Sequence, residues 1–146
     1  MKLVSIITPS YNQAQYLEQT IRSVLEQDHP RIEYIVIDGA STDGSVDVIR
    51  EYSGRLAFWV SEKDSGQAEA INKGLARATG EIVAWLNSDD FYFPGAVRAA
   101  VDAFEAHPEA GLVYGDTVAV DEKGEAIHYP KYAQWDLEDL LKFNII

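Results

Sequence analysis

Cysteine is absent from all 146 residues. No disulfide framework can hold this fold, and the composition is compatible with a reducing compartment. Basic residues are scarce: 12 Lys and Arg stand against 24 Asp and Glu, leaving a formal net charge of −12. Binding to nucleic acid or to an anionic membrane surface needs basic patches, so neither is expected. No run approaches the ~20 apolar residues of a membrane span. The opening Met1-Lys2-Leu3-Val4-Ser5-Ile6-Ile7-Thr8-Pro9 has too short an apolar stretch for a signal peptide. No internal repeat and no low-complexity segment is visible. The loop after the first apolar run contains no glycine, so both the Gly-x-Gly-x-x-Gly dinucleotide fingerprint and a phosphate-binding Gly-Lys-Ser/Thr loop are missing. That excludes a dehydrogenase and a P-loop ATPase of the usual kinds. His128 has no partner spacing that suggests zinc, and His29 and His107 each precede a proline at a helix end. What remains, 47% hydrophobic and 25% charged residues, is the composition of an ordinary globular domain, or of a piece of one.

Short apolar runs alternate with helical periodicity along the first hundred residues. Leu3 to Ile7 reads as a strand that Thr8-Pro9 terminates. A helix follows from about Ala14, with Leu17, Ile21, Val24 and Leu25 on one face and His29-Pro30 after it. Ile32 to Ile37 is a second strand closing on Asp38, and Ser41 or Thr42 is expected to cap a short helix through Val46 and Ile49. Leu56 to Val60 reads as a third strand at a sheet edge. Gln67 to Ala78 reads as a helix burying Ala70, Ile71, Leu75 and Ala78, with Gly80 as its stop. Ile82 to Leu86 is expected to be a buried fourth strand, and Pro94 to open a helix reaching about Ala106. Four strand–helix units imply a mostly parallel sheet with helices on both faces. Beyond His107-Pro108 the rhythm changes: Gly111 to Asp121 and Glu125 to Tyr129 suggest a hairpin, and Trp135 to Phe143 an amphipathic helix. The apolar end, Asn144-Ile145-Ile146, reads as an interior point of a longer chain. Residues 1–146 are expected to be one domain, incomplete at its C-terminal end, whose organisation changes near residue 110.

In a parallel sheet the carboxyl ends of the strands share one edge, where ligands bind. Four such ends carry polar groups: Thr8, Tyr11 and Asn12; Asp38; Asp64; and the adjacent pair Asp89-Asp90. A hydroxyl, an aromatic face and an amide suit a nucleobase. Asp38 could accept from a base N–H, or bond its own backbone as a turn residue. Two neighbouring carboxylates repel unless a cation lies between them, and Mg²⁺ or Mn²⁺ takes carboxylate and phosphate oxygens together.

The segments Thr8-Pro9-Ser10-Tyr11-Asn12, Asp38 to Ser45, Asp64-Ser65-Gly66 with Asn72-Lys73-Gly74, and Ser88-Asp89-Asp90 together resemble family 2 glycosyltransferases, in that family's order and over nearly the whole chain. The resemblance implies a GT-A fold that binds a nucleotide-diphosphate sugar, UDP-linked by preference, with Mg²⁺ or Mn²⁺, residues 1–110 being the nucleotide-sugar-binding part and 111–146 the start of the acceptor-side part. It places Thr8 and Tyr11 against the base, Tyr11 stacking on it, counts Pro9 and Asn12 among the nucleotide-sugar-binding residues, and gives Asp38 a hydrogen bond to the base. Asp89 would face ribose or sugar, and Asp90, with Asp89, would hold the metal. Asp64, Gln67, Asn72 and Lys73 match the segment that lines the nucleotide and sugar phosphates. Two departures stand out. The family usually has Asp-Asp-Gly-Ser where this chain has Asp38-Gly39-Ala40-Ser41, and Ser88 replaces the first Asp of the metal element. The implied reaction is inverting transfer to a hydroxyl acceptor in glycan synthesis. It needs a carboxylate base for which Asp116 is the one carboxylate in view, though Asp116 reads first as a strand cap. A non-catalytic nucleotide-sugar-binding module is the alternative; a nucleotidyltransferase lacks its Gly-rich basic loop here. Cytoplasmic placement and homodimerisation through an uncovered sheet complete these expectations.

Overall fold

A computed structural model describes residues 1–122 and 124–128, and the chain divides into two compact units, Met1–Asp102 and Ala103–Ile146. The expected helix from Trp135 to Phe143 lies outside the described residues, as does the end of the hairpin at Tyr129.

The first unit is a four-stranded sheet in the order β3-β2-β1-β4, every pair parallel. Its strands are β1 (Val4–Ser10), β2 (Ile32–Asp38), β3 (Phe58–Ser61) and β4 (Ile82–Trp85). The helices are α1 (Ala14–Leu25), α2 (Ser45–Tyr52), α3 (Gln67–Leu75) and α4 (Ala96–Ala106), the last running past the boundary between units. Strand side chains alternate between the two faces. Val4, Ile6, Tyr34 and Val36 meet Leu17, Ile21 and Val24 of α1, Ile49 of α2, and Val97 and Val101 of α4. Ile7, Ile35 and Ile37 point the other way, onto Ala70 of α3. This is the parallel sheet with helices on both faces that the strand–helix rhythm implies.

Several boundaries differ from expectation. Strand β1 does not stop at Thr8-Pro9; Pro9 pairs in register with Ile37, and the strand ends at Ser10. Odd-numbered backbone groups of β1 face β4, as the bond from the Leu86 N–H to the Ile7 carbonyl shows. Pairing with β4 ends at Ile7, so the missing N–H of Pro9 leaves no ladder bond unmade. Helix α3 stops at Leu75, which is 45% exposed rather than inward. Its buried positions are Ala70 and Gly74, and Gly74 lies so close to β1 that a Cβ there would come 2.4 Å from Ile7 Cγ2. Gly80 does not end this helix; it packs on β1, its N–H donating to Ser5 Oγ at 2.8 Å. Strand β4 is not buried: Val83 and Trp85 are 45% and 58% exposed. They share the face of Ser5 and Ile7, on which α3 packs chiefly against β1 and β2.

Helix α2 is capped by neither Ser41 nor Thr42. Asp43 takes that role twice. Its Oδ1 accepts from the N–H and hydroxyl of Ser45 at 3.0 and 2.6 Å, and its Oδ2 accepts from the N–H of Ala14 at 2.9 Å. One carboxylate thus serves the first turns of α1 and α2, where unpaired N–H groups favour an anion.

In the second unit, β5 (Ala119–Val120) and β6 (Ala126–His128) pair antiparallel, a far shorter hairpin than the sequence suggests. Residues 112–118 are irregular, and Asp116 is exposed there rather than capping a strand.

Candidate functional site

The carboxyl ends of β1, β2 and β3 and the loop after β4 surround an open cleft of about 880 Å³, wholly within the first unit. Its wall holds Pro9, Ser10 and Tyr11 from the end of β1, Gly39 and Ala40 after β2, Lys63 to Gln67 after β3, and Asn87, Ser88 and Asp89 after β4. Because β1 is central, Asp64 and Asp89 stand on opposite sides of it. Tyr11 offers a ring 63% exposed on this wall. Lys63 is the single cationic side chain among the lining residues and has no ion pair among the described residues.

Of the residues singled out from sequence, Pro9, Tyr11, Asp64, Gln67 and Asp89 line the cleft. Thr8 does not. Its side chain points to the opposite face of β1, is fully buried, and its hydroxyl shares a 2.9 Å hydrogen bond with that of Tyr34. Burial pushes the Tyr34 phenol far up from its ordinary value, although the bond to Thr8 works the other way. Asn12 is occupied in joining loops: in a left-handed conformation (φ 52°), it donates its N–H to Ser41 Oγ and accepts from the Thr42 N–H at 2.9 Å. Asp38 is also withdrawn from the cleft. It is fully buried, and its carboxylate accepts from the N–H and hydroxyl of Ser41 and from the Ser61 hydroxyl at 2.6 Å. The alternative reading of Asp38, a turn residue bonding its own loop, is therefore the one found. Asn72 and Lys73 lie five and six residues beyond Gln67, about 120–140° round the helix, and face away from the cleft. The Lys73 ammonium pairs with Glu62 and Glu69, each at 3.0 Å.

Glu69 in turn holds the loop that carries Asp64. It accepts from the hydroxyl of Ser65 at 2.6 Å and from its N–H at 2.9 Å. The Ser65 hydroxyl, then Lys73, then the Ser65 N–H hold its carboxyl down at about 2. Gly66 follows with φ 125°, a left-handed turn that leaves its N–H donating to Asp64 Oδ1 at 2.9 Å.

The acidic pair is exposed after β4, and its backbone is anchored: the Thr20 hydroxyl of α1 donates to the carbonyls of Ser88 and Asp90 at 2.9 and 2.7 Å. Asn87 opens the stretch Asn87-Ser88-Asp89-Asp90 but has no role assigned to it from the sequence. Its amide donates to Asp90 Oδ2 at 3.1 Å and its oxygen accepts from Gln67 at 2.6 Å, linking α3 to the acidic pair. Its residue type marks no role; its place beside Asp89-Asp90 is the signal that it belongs to the site. Ser10 was missed too. It is 3% exposed on the cleft floor, and its hydroxyl has no partner among the described residues.

No cluster of three or more His, Asp or Glu capable of holding a metal occurs among the described residues. Two adjacent carboxylates with no basic partner among the described residues nevertheless suit a hard cation that draws its remaining ligands from phosphate oxygens and water. Such a donor set fits Mg²⁺ or Mn²⁺.

The parallel α/β sheet is that of the solved GT-A glycosyltransferases, and the cleft at its carboxyl edge with the acidic pair after β4 is the site it carries here. The chain belongs to glycosyl transferase family 2, whose model matches residues 5–144. It is 50% identical over 91 residues to TuaG of Bacillus subtilis, a glycosyltransferase assigned to teichuronic acid biosynthesis, covering 60% of this chain and 36% of that protein. Among solved structures it resembles Staphylococcus aureus TarS in complex with UDP-GlcNAc (27% identity, TM-score 0.66, 73% of this chain and 32% of that one). It also resembles the mannosyltransferase PcManGT from Pyrobaculum calidifontis in complex with GDP-Man and Mn²⁺ (35% identity, TM-score 0.65, 70% and 32%). The chain thus spans about a third of the length of these relatives.

Proposed function

We propose that this chain is the donor-binding part of a metal-dependent, inverting glycosyltransferase that uses a nucleotide-diphosphate sugar, with a UDP-sugar favoured. The observation that carries the reading is Asp89 on the cleft wall beside Asp90, in the same cleft as the exposed Tyr11 ring. Neighbours bound to UDP-GlcNAc and to GDP-Man with Mn²⁺ support it. The diphosphate would lie at the β4 end, leaving the nucleoside for the part of the cleft formed by Tyr11, Gly39, Ala40 and Asp64. Asp90 with Asp89 would hold Mg²⁺ or Mn²⁺, which supplies Lewis-acid neutralisation of the departing diphosphate. Asn87 orients Asp90, and Thr20 holds the loop so that the carboxylates need not reorganise.

In the reaction the acceptor oxygen bonds to the anomeric carbon as the bond to the diphosphate oxygen breaks, and the hydroxyl proton passes to a carboxylate base. Asp64 and Asp89 are the carboxylates lining the cleft, and both belong to donor binding in this reading. Asp116 lies in the second unit and is not assigned the role. Acceptor identity is left to the rest of the protein, as is any membrane tether; cytoplasmic placement stays part of the proposal.

Calorimetric titration of UDP and of GDP, with and without Mn²⁺, tests the reading. Metal-dependent binding of either nucleotide, lost in Asp90→Ala, is the expected result. Binding of UDP alone supports a UDP-sugar, and binding of GDP alone changes the donor. Absence of binding to both overturns the donor site.

A further inference from the structure

We propose that Asp64, not Asp38, reads the nucleobase, and that the missing side chain at Gly39 is what admits it. This rests on the donor-binding reading above and deepens it. Asp38 cannot be the reader as it stands: its carboxylate is fully buried and already accepts three hydrogen bonds from Ser41 and Ser61. The acceptor must therefore come from elsewhere on the β1–β2–β3 side of the cleft.

Asp64 lies there. A Cβ built on Gly39 would meet Asp64 Oδ2 at 3.0 Å and Oδ1 at 3.2 Å. The Asp64 carboxylate therefore occupies the space into which a side chain at position 39 would project. The second Asp of the Asp-Asp-Gly-Ser pattern is absent from this chain at that very residue. Carboxylate chemistry is not lost from this corner of the cleft; it arrives from the loop after β3 rather than from the loop after β2. Oδ1 is held by the Gly66 N–H at 2.9 Å, while Oδ2 accepts no hydrogen bond among the described residues. The loop beneath is braced by Glu69 on Ser65, and Glu69 by Lys73. A half-exposed acceptor on a braced loop, next to an exposed aromatic ring, fits a stacked base that presents an N–H in its ring plane.

That chemistry selects among bases. The N3–H of uracil and the N1–H of guanine are donors; the corresponding ring nitrogens of cytosine and adenine carry lone pairs, which a carboxylate repels. Rejecting an analogue through a mismatched polar edge is a strong form of discrimination.

Asp64→Asn tests the assignment with minimal structural change. The amide oxygen can still take the Gly66 N–H, while the atom facing the base turns from acceptor to donor. Calorimetry with UDP, GDP, CDP and ADP in the presence of Mn²⁺ is run on the wild type and on this variant. The wild type is expected to prefer UDP or GDP, and the two arms distinguish which. Asp64→Asn should bind that nucleotide roughly tenfold to a hundredfold more weakly and gain relative affinity for CDP. A second variant, Asp64→Ser with Gly39→Asp, returns a carboxylate from the other loop and should recover part of the loss. If wild type binds UDP or GDP and Asp64→Asn binds all four nucleotides with unchanged affinities, Asp64 is not the reader, while the donor site stands. If wild type binds none, the donor site falls and this assignment with it.

Discussion

Asp43 and Glu69 show how much of this site is held in place by single carboxylates that do not themselves line the cleft. Desolvation opposes the charge on Asp43, but the Ala14 N–H and the hydroxyl and N–H of Ser45 outweigh it, so its pKa is lowered. Asn offers one accepting oxygen instead of two, so Asp43→Asn uncaps one of the two helices. It should cost about 1 kcal/mol, read as a lower urea midpoint at unchanged slope. Both carboxyls titrate below their ordinary values in the folded state. Their stabilising contribution is therefore fully present above the unfolded pKa and is lost as pH falls towards the folded one. For Glu69 that window runs from the ordinary 4.5 down to about 2. Carbon-13 titration of Glu69 should give a midpoint near 2. Glu69→Gln, keeping shape without charge, should speed amide exchange at Ser65 and loosen Asp64 with it.

Among the elements, α3 meets the sheet most closely. Gly74 lies on Ile7 of a central strand, and a methyl group there would come within 2.4 Å of Ile7 Cγ2. Overpacking of this kind costs about 1–3 kcal/mol. Replacing a helical glycine by alanine returns about 1 kcal/mol of propensity. Ile7 is fixed by β2 and β4 on either side, so the penalty should dominate. Gly74→Ala is expected to lose about 1–2 kcal/mol in urea unfolding. Because α3 begins at the cleft with Gln67, the variant should also weaken nucleotide binding if the helix lifts. A normal Gln67–Asn87 contact in such a variant would show that the strain is absorbed elsewhere.

For the molecule as a whole, the net charge of −12 opposes the approach of any anionic nucleotide, and Lys63 is the lone cation lining the cleft. Screening relieves that repulsion. At a fixed, saturating Mn²⁺ concentration, association of UDP should therefore speed up as salt rises from low ionic strength, in stopped-flow mixing; a rate that falls with salt would mean that local positive charge governs the encounter. The exposed stripe of Val83 and Trp85 on β4 is an uncovered part of the sheet through which the homodimerisation expected from sequence would run, and a mass measurement in solution tests it.

Local chemistry alone determined a good deal here. Apolar runs of strand length alternating with helical periodicity specify a parallel sheet, and a parallel sheet brings its strand ends to one edge, so Tyr11, Asp64 and Asp89 were predictable neighbours. The family was legible because four motifs carry it in order. What sequence could not decide was direction. Thr8 and Pro9 are adjacent, yet strand alternation sends one to the core beside Tyr34 and the other to the cleft. Asp38 and Asp64 are both carboxylates at strand ends, yet one is consumed by its own turn and the other left open. Those outcomes depend on which hydrogen-bond donors the folded loops bring within 3 Å, and only the tertiary structure brings Gly39 against Asp64.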